Sequence, residues 1–201
     1  MIVLDVEASG IIPAKHSILS LGALDLDEPT NQFYDECRVW DGAHIDDAAL
    51  AVNGFSHTEA SDPIKKSEAE LVQAFIAWAL DRPRDRTLAA QNPSFDRDFV
   101  RSACQRAGID FPFPYRTIDT HTLCWLHMSE RGIEIPMAHK HSAIDLDAAL
   151  HYAGLPSERK PHSALGGAYA HAEVIARIAY NKKLLPDYDT YPIPWIKTTQ
   201  T

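Results

Sequence analysis

The chain of 201 residues is 45% hydrophobic and 23% charged, the make-up of one ordinary globular domain with a sizeable core. Its net charge of −9 argues against broad binding to long nucleic acid, which needs a basic face. It does not exclude a nuclease, because metal ions can supply positive charge where a phosphate sits.

Residues 1–7 read as a first strand, closed by Asp5-Val6-Glu7 and followed by Ala8-Ser9-Gly10. Side chains two apart on a strand share a face, so Asp5 and Glu7 stand side by side. Nothing basic follows until Lys15. Either this is a strand end frayed into solvent, or it is half of a site for a hard divalent cation that relieves the repulsion. Residues 17–26 and Asn31 to Trp40 read as two further strands of an antiparallel meander, and Asp46 to Ala51 as a short capped helix.

Ser67 through Leu80 reads as a stronger helix, with Ser67 and Glu70 at capping-box spacing and apolar residues at helical intervals. Thr87 to Gln91 reads as a short buried strand. A helix from about Pro93 to Ala107 follows, ended by Gly108. Further helices fit 118–129, 145–153 and 162–180, with a long loop over Arg131 to Ser142 and an irregular tail from Ile193. Strands first, then mixed strand and helix, imply one α/β domain with a mixed β-sheet flanked by α-helices. Residues 1–180 form the domain, and 181–201 a tail packed on it or extending it.

Cys37, Cys104 and Cys124 lack CxxC spacing. They argue against a disulfide framework or cysteine zinc site and for a reducing, cytoplasmic compartment. No apolar run approaches the roughly 20 residues needed to span a bilayer, and the immediate entry into a strand argues against a signal peptide.

Two other places offer chemistry. Asn92 ends a strand and Asp96 lies about one turn into the next helix. There it either complements the helix dipole or joins Asp5 and Glu7. His162 opens the C-terminal helix, as a polar residue at a helix start or as a general base.

Taken in order, Asp5-Val6-Glu7-Ala8-Ser9, Asn92 with Asp96, and His162-Ser163-Ala164 resemble the motifs of the DEDDh 3′-to-5′ exonucleases. That group includes proofreading subunits, ribonuclease T and oligoribonuclease-like enzymes. Ser9 stands where the family has threonine. Asn53-Gly54-Phe55 and Ile118-Asp119-Thr120 are weaker echoes. The resemblance implies a ribonuclease-H-like fold and hydrolysis of phosphodiesters at the 3′ end of single-stranded DNA or RNA, or of short oligonucleotides. It implies two divalent ions, Mg²⁺ or Mn²⁺, held by Asp5, Glu7 and Asp96, with His162 as general base. It also implies substrate contacts from Ala8, Ser9, Gly10, Phe55 and Asn92. Basic contacts would come from Lys140-His141 or Arg159-Lys160. Related folds often pair as homodimers, and Trp195 either serves such a contact or caps its own subunit.

One departure matters. The family's fourth carboxylate is an aspartate five residues after the histidine, and here that position is Gly167. The resemblance then implies weaker metal binding, with Gly167→Asp expected to improve affinity or activity. His171, one turn on, is either a softer substitute ligand or a packing residue; Glu173 falls on another face. Two other readings stand beside the exonuclease. One is a catalytically impaired member that binds nucleic-acid ends or a protein. The other is a hydrolase of a small nucleotide phosphodiester.

Overall fold

The computed structural model describes residues 1–82 and 85–196; the last five residues of the expected tail, 197–201, lie outside them. Strands β1 (Ile2–Ala8), β2 (Ile18–Asp25) and β3 (Glu28–Glu36) form the expected antiparallel meander. Two short strands, β4 (Leu88–Ala90) and β5 (Thr117–Asp119), add in parallel beside β1. The order β3-β2-β1-β4-β5 puts β1 at the centre. The fold is the expected ribonuclease-H-like mixed sheet with helices on both faces.

Central position explains why β1 is apolar on both faces apart from its acids. Ile2, Leu4, Val6 and Ala8 enter one core with Leu71, Val72 and Phe75 of helix α3 (Glu68–Leu80) and Phe99 and Val100 of helix α4 (Ser94–Ala107). Val3 enters another with Ala168, Ala172 and Ile175 of helix α7 (Ala164–Tyr180). Alternation therefore turns Asp5 and Glu7 toward α7.

Helix signals mostly held. Ser67 and Glu70 make both halves of the capping box on α3, and Gly108 ends α4 at φ 67°, a left-handed conformation that glycine adopts without strain. Helix α1 (Asp47–Asn53) follows Asp46, whose carboxylate turns to His16 at 3.1 Å rather than capping the helix.

Other boundaries moved for non-local reasons. β3 ends at Glu36, not Trp40, because the chain then peels off to the segment before α3: the Arg38 amide donates to the Lys66 carbonyl and Val39 to Ala60. The expected helix start at 118 is instead the end of β5, paired with β4, and Asp119 caps helix α5 (Thr120–Glu130). The hairpin of β6 (Met137–Ala138) and β7 (His141–Ser142) lies in the expected loop over Arg131 to Ser142, while helix α2 (His57–Ala60) and a 3₁₀ turn at Pro186–Tyr188 lie where no element was expected. Helix α6 (Leu146–Tyr152) matches its expectation within a residue at each end.

The tail packs on the domain through a buried ion pair. Arg177, fully buried, donates to Glu173 at 2.7 Å and to the carbonyls of Ala153, Tyr188, Tyr191 and Pro192. Glu173 also accepts the Leu184 and Leu185 amides. Trp195 stacks on Tyr152 and donates to Asn181, so its ring caps its own subunit.

Gly22 sets how closely α7 docks. It lies opposite Asp5 in the β1–β2 register, and a Cβ there would overlap the backbone of Ala164 and Leu165. Backbone cannot swing aside as a long side chain can. Gly22→Ala is therefore expected to lower stability by about 1–3 kcal/mol, the usual cost of overpacking, read as a lower denaturation midpoint in urea.

Candidate active site

Three of the expected acids converge. Asp5 and Glu7 project from β1, and Asp96 arrives from the first turn of α4, where its Oδ1 accepts the Val6 amide at 2.9 Å. Glu7 is 8% and Asp96 2% exposed. Among the described residues no hydrogen-bond donor or cation meets the Glu7 carboxylate.

This crowding raises proton affinity. Burial pushes the Asp5 carboxyl well above the usual range, and the charges of Asp96, Glu7 and Glu158 push it further. Burial, then the Glu158 charge, raises Glu7 to about 7. Asp96 also rises to about 7, through burial against the opposing pull of backbone amides, including Val6. Buried carboxylates that repel one another and lack donors are costly unless a cation sits among them. Their hard oxygen donors suit Mg²⁺ or Mn²⁺. No three His, Cys, Asp or Glu side chains among the described residues stand close enough together to hold a metal ion; the fit to a cation rests on the chemistry of the three acids alone.

Glu158 is the acid that sequence reasoning missed. It lies on the loop before α7, its side chain only 12% exposed and 3.5 Å from His162 Nδ1. Its only sequence signal was the i,i+4 spacing to His162, weak in a stretch with no helical pattern. Burial raises its proton affinity while His162 lowers it. His162 sits at the rim, its side chain 32% exposed, with its amide donating to the Val52 carbonyl at 3.2 Å. It pairs with Glu158, and none of Asp5, Glu7 or Asp96 lies within ion-pair distance of its ring.

Gly167 faces the acids directly. A Cβ on it would stand 2.6 Å from Asp5 Cγ, so the Asp5 carboxylate already fills the space an aspartate here would enter. The improvement expected from Gly167→Asp therefore needs Asp5 to vacate its place first. His171 is a packing residue: buried, it donates from Nδ1 to the Leu4 carbonyl at 3.1 Å. Burial lowers its basicity to about 4.

The expected substrate contacts divide. Ser9 is turned inward, its hydroxyl donating to the His44 carbonyl at 2.7 Å and accepting the Ser17 amide at 2.9 Å. There the hydroxyl holds the loop between β1 and β2. Ala8 and Gly10 are also buried; the Ala8 carbonyl accepts from Asn53, and Gly10 lies against the His16 ring. Phe55 packs partly on Leu19, Leu50 and Ala60, with the Lys65 ammonium 4.6 Å over its ring. Asn92 is exposed at φ 52°, its side chain accepting from Ser94 Oγ. Arg159 and Lys160 are exposed beside Glu158 and His162, while Lys140 and His141 sit at the β6–β7 turn. An open cleft of about 460 Å³ is lined by Ala51, Val52, Lys160, Pro161 and His162.

The described residues contain no helix long and apolar enough to cross a membrane. No family profile matches the chain. Solved structures share its fold. The nuclease domain of 3′hExo, a DEDDh family member bound to rAMP, superposes with TM-score 0.67 at 16% identity, over 92% of this chain and 93% of that one. The zinc-bound complex of E. coli exonuclease I with single-stranded DNA superposes with TM-score 0.68 at 15% identity. It covers 90% of this chain, which spans about two fifths (41%) of exonuclease I. In its fold and in the order of its motifs the chain is similar to the DEDDh 3′-to-5′ exonucleases.

In sequence it is similar to ribonuclease T. The Marinobacter nauticus protein is 28% identical over 206 residues, 96% of this chain and 87% of that protein. The Citrobacter koseri protein is 27% identical over 168 residues, 71% of this chain and 77% of that protein.

The raised acids set a stability–pH relation for the metal-free protein. A carboxyl with a folded pKa above its unfolded value stabilises fully below the unfolded value, and that contribution is lost as pH rises through the folded one. His171, with a lowered pKa, acts in the opposite direction below about pH 6.5, so the difference from an acid variant isolates the cluster. In EDTA, the melting temperature of wild type is expected to fall relative to Asp5→Asn as pH rises from about 5 to about 7.5. Added Mn²⁺ should reverse that order at the upper end.

Proposed function

We propose that the chain is a divalent-metal-dependent 3′-to-5′ exonuclease acting on single-stranded DNA or RNA. The observation that carries this reading is the convergence of Asp5, Glu7 and Asp96 as buried, mutually repelling carboxylates, on the same fold that carries His162 at an open cleft. A fold of this size has no structural need for that arrangement. Kinship with ribonuclease T along nearly the whole chain, and single-stranded DNA bound to a protein of the same fold, support the substrate class.

Asp5, Glu7 and Asp96 would hold two divalent ions, Mg²⁺ or Mn²⁺, whose chemistry is to lower the pKa of water and offset charge on phosphoryl oxygens. His162 accepts the proton of the attacking water. Glu158, 3.5 Å from Nδ1, favours a proton on that nitrogen and leaves Nε2 as the base. The cleft beside His162 receives the terminal nucleotide, with Lys160 at its wall facing the phosphate side. Arg159 and Lys160 supply local positive charge that the chain as a whole lacks, which favours a short single-stranded end over long duplex. Residues 1–180 carry this activity, with 181–201 a packed extension, and assembly as a homodimer would leave the cleft to each subunit.

Gly167 favours the second reading, a binding protein with impaired catalysis, because one family carboxylate is missing. Retention of three converging acids and His162 favours hydrolysis.

The assay is a 5′-labelled single-stranded DNA or RNA oligonucleotide with Mg²⁺ or Mn²⁺. A ladder shortening from the 3′ end is expected, lost in Asp5→Asn and lowered about 10²- to 10⁴-fold in His162→Gln, the usual share of a general base. Retained binding with no cleavage in either metal would establish the second reading.

A further inference from the structure

Helix α1 is largely exposed, yet its last turn points a valine out and an asparagine in. Val52 is 51% exposed and Asn53 5%; of the helix only Leu50 and Asn53 are buried. A position three residues on from a buried leucine is ordinarily apolar, so a buried amide there calls for a reason. Its partners supply one. Asn53 Nδ2 donates to the Ala8 carbonyl at 3.1 Å, and its Oδ1 accepts the Phe55 amide at 3.2 Å. Among the described residues, the bond to Ala8 is the one side-chain hydrogen bond that joins α1 to β1.

The turn around Asn53 touches both halves of the candidate site. On one side, Ala8 follows Glu7 directly, where the β1–β2 register shifts. On the other, the Val52 carbonyl accepts the His162 amide at 3.2 Å. Gly54 lies so close to the same loop that a Cβ on it would stand 2.7 Å from Pro161 Cβ. The start of α1 is held independently, because the Asp46 amide donates to the Ser9 carbonyl at 2.8 Å. Asn53 therefore fastens the far end of a short strut between the end of β1 and the loop that carries the histidine. Without its amide the Ala8 carbonyl loses this donor, and the turn bearing Val52 and Gly54 can shift relative to β1.

We propose that Asn53 is a positioning residue for His162, holding the turn that seats the histidine's backbone at a set place beside the end of β1. The inference rests on the exonuclease reading, in which His162 accepts the proton of the attacking water. Asn53 acts through α1 and the loop, so it governs the step that uses His162 and not the strength of oligonucleotide binding.

The test is a double-mutant cycle in the 3′-end assay, with wild type, Asn53→Ala, His162→Gln and the double variant. Asn53→Ala is expected to lower kcat about 10- to 100-fold, the scale of losses when a reacting group is misplaced by about 1 Å, with KM changed by no more than about twofold. In the His162→Gln background the same substitution is expected to cost less than about twofold, because the group it positions is already gone. An equal loss in both backgrounds would overturn the proposal, since an asparagine that only supports the fold, or acts on the acids, weakens both proteins alike. So would an unchanged kcat in Asn53→Ala. Either result leaves the exonuclease reading intact, whereas a wild type that cleaves neither DNA nor RNA overturns both. Thermal melting reports whether Asn53→Ala folds. Should it not, Asn53→Ser is the second variant: its hydroxyl can accept the Phe55 amide in the same kind of turn but is too short to reach the Ala8 carbonyl. The same loss of kcat is expected there, confined again to the background that retains His162, and wild-type kcat in Asn53→Ser overturns the proposal.

Discussion

The close docking of helix α7 against the central strands is the constraint on which the site depends. Gly22 has no side chain where the backbone of Ala164 and Leu165 arrives, and Gly167 has none where the Asp5 carboxylate lies. Strand pairing sets Gly22 opposite Asp5, so both contacts concern one spot on the sheet. The helix start, with His162 just before it, is thereby brought to the acids of β1. A larger residue at either glycine would lift the helix or displace Asp5.

Seen this way, Gly167 is more than a lost ligand. The space that the family gives to a carboxylate is taken here by Asp5 itself. The cost is a cluster of acids that burial and mutual repulsion hold in a high-energy ionised state. Such a cluster stores a strong preference for a cation, and that preference is the physical link between the fold and phosphodiester chemistry. The Arg177–Glu173 network makes the contrast plain. It is just as buried, but each group has its partners, and so it fastens the tail and does nothing chemical.

Much of this was legible in the chain. Strand alternation put Asp5 and Glu7 on one face, and capping residues located α3 and α4 and so Asp96. The ordered motifs tied these acids to His162. What could not be read was decided by contacts between distant segments. β5 is three residues long and exists because β4 lies beside it. The Ser9 hydroxyl turns inward because His44 and Ser17 offer backbone partners. The packing role of His171 rests on a carbonyl 167 positions away.

By itself, then, the sequence determined the element types around the acids and which acids share a strand face, because alternation and helix capping are local properties of the backbone. Only the tertiary structure decided that the space beside Gly167 is filled by Asp5, and that His162 is partly exposed and pairs with Glu158. Those outcomes depend on how closely α7 seats on β1 and β2, a packing distance set jointly by residues far apart in the chain, which no local pattern encodes.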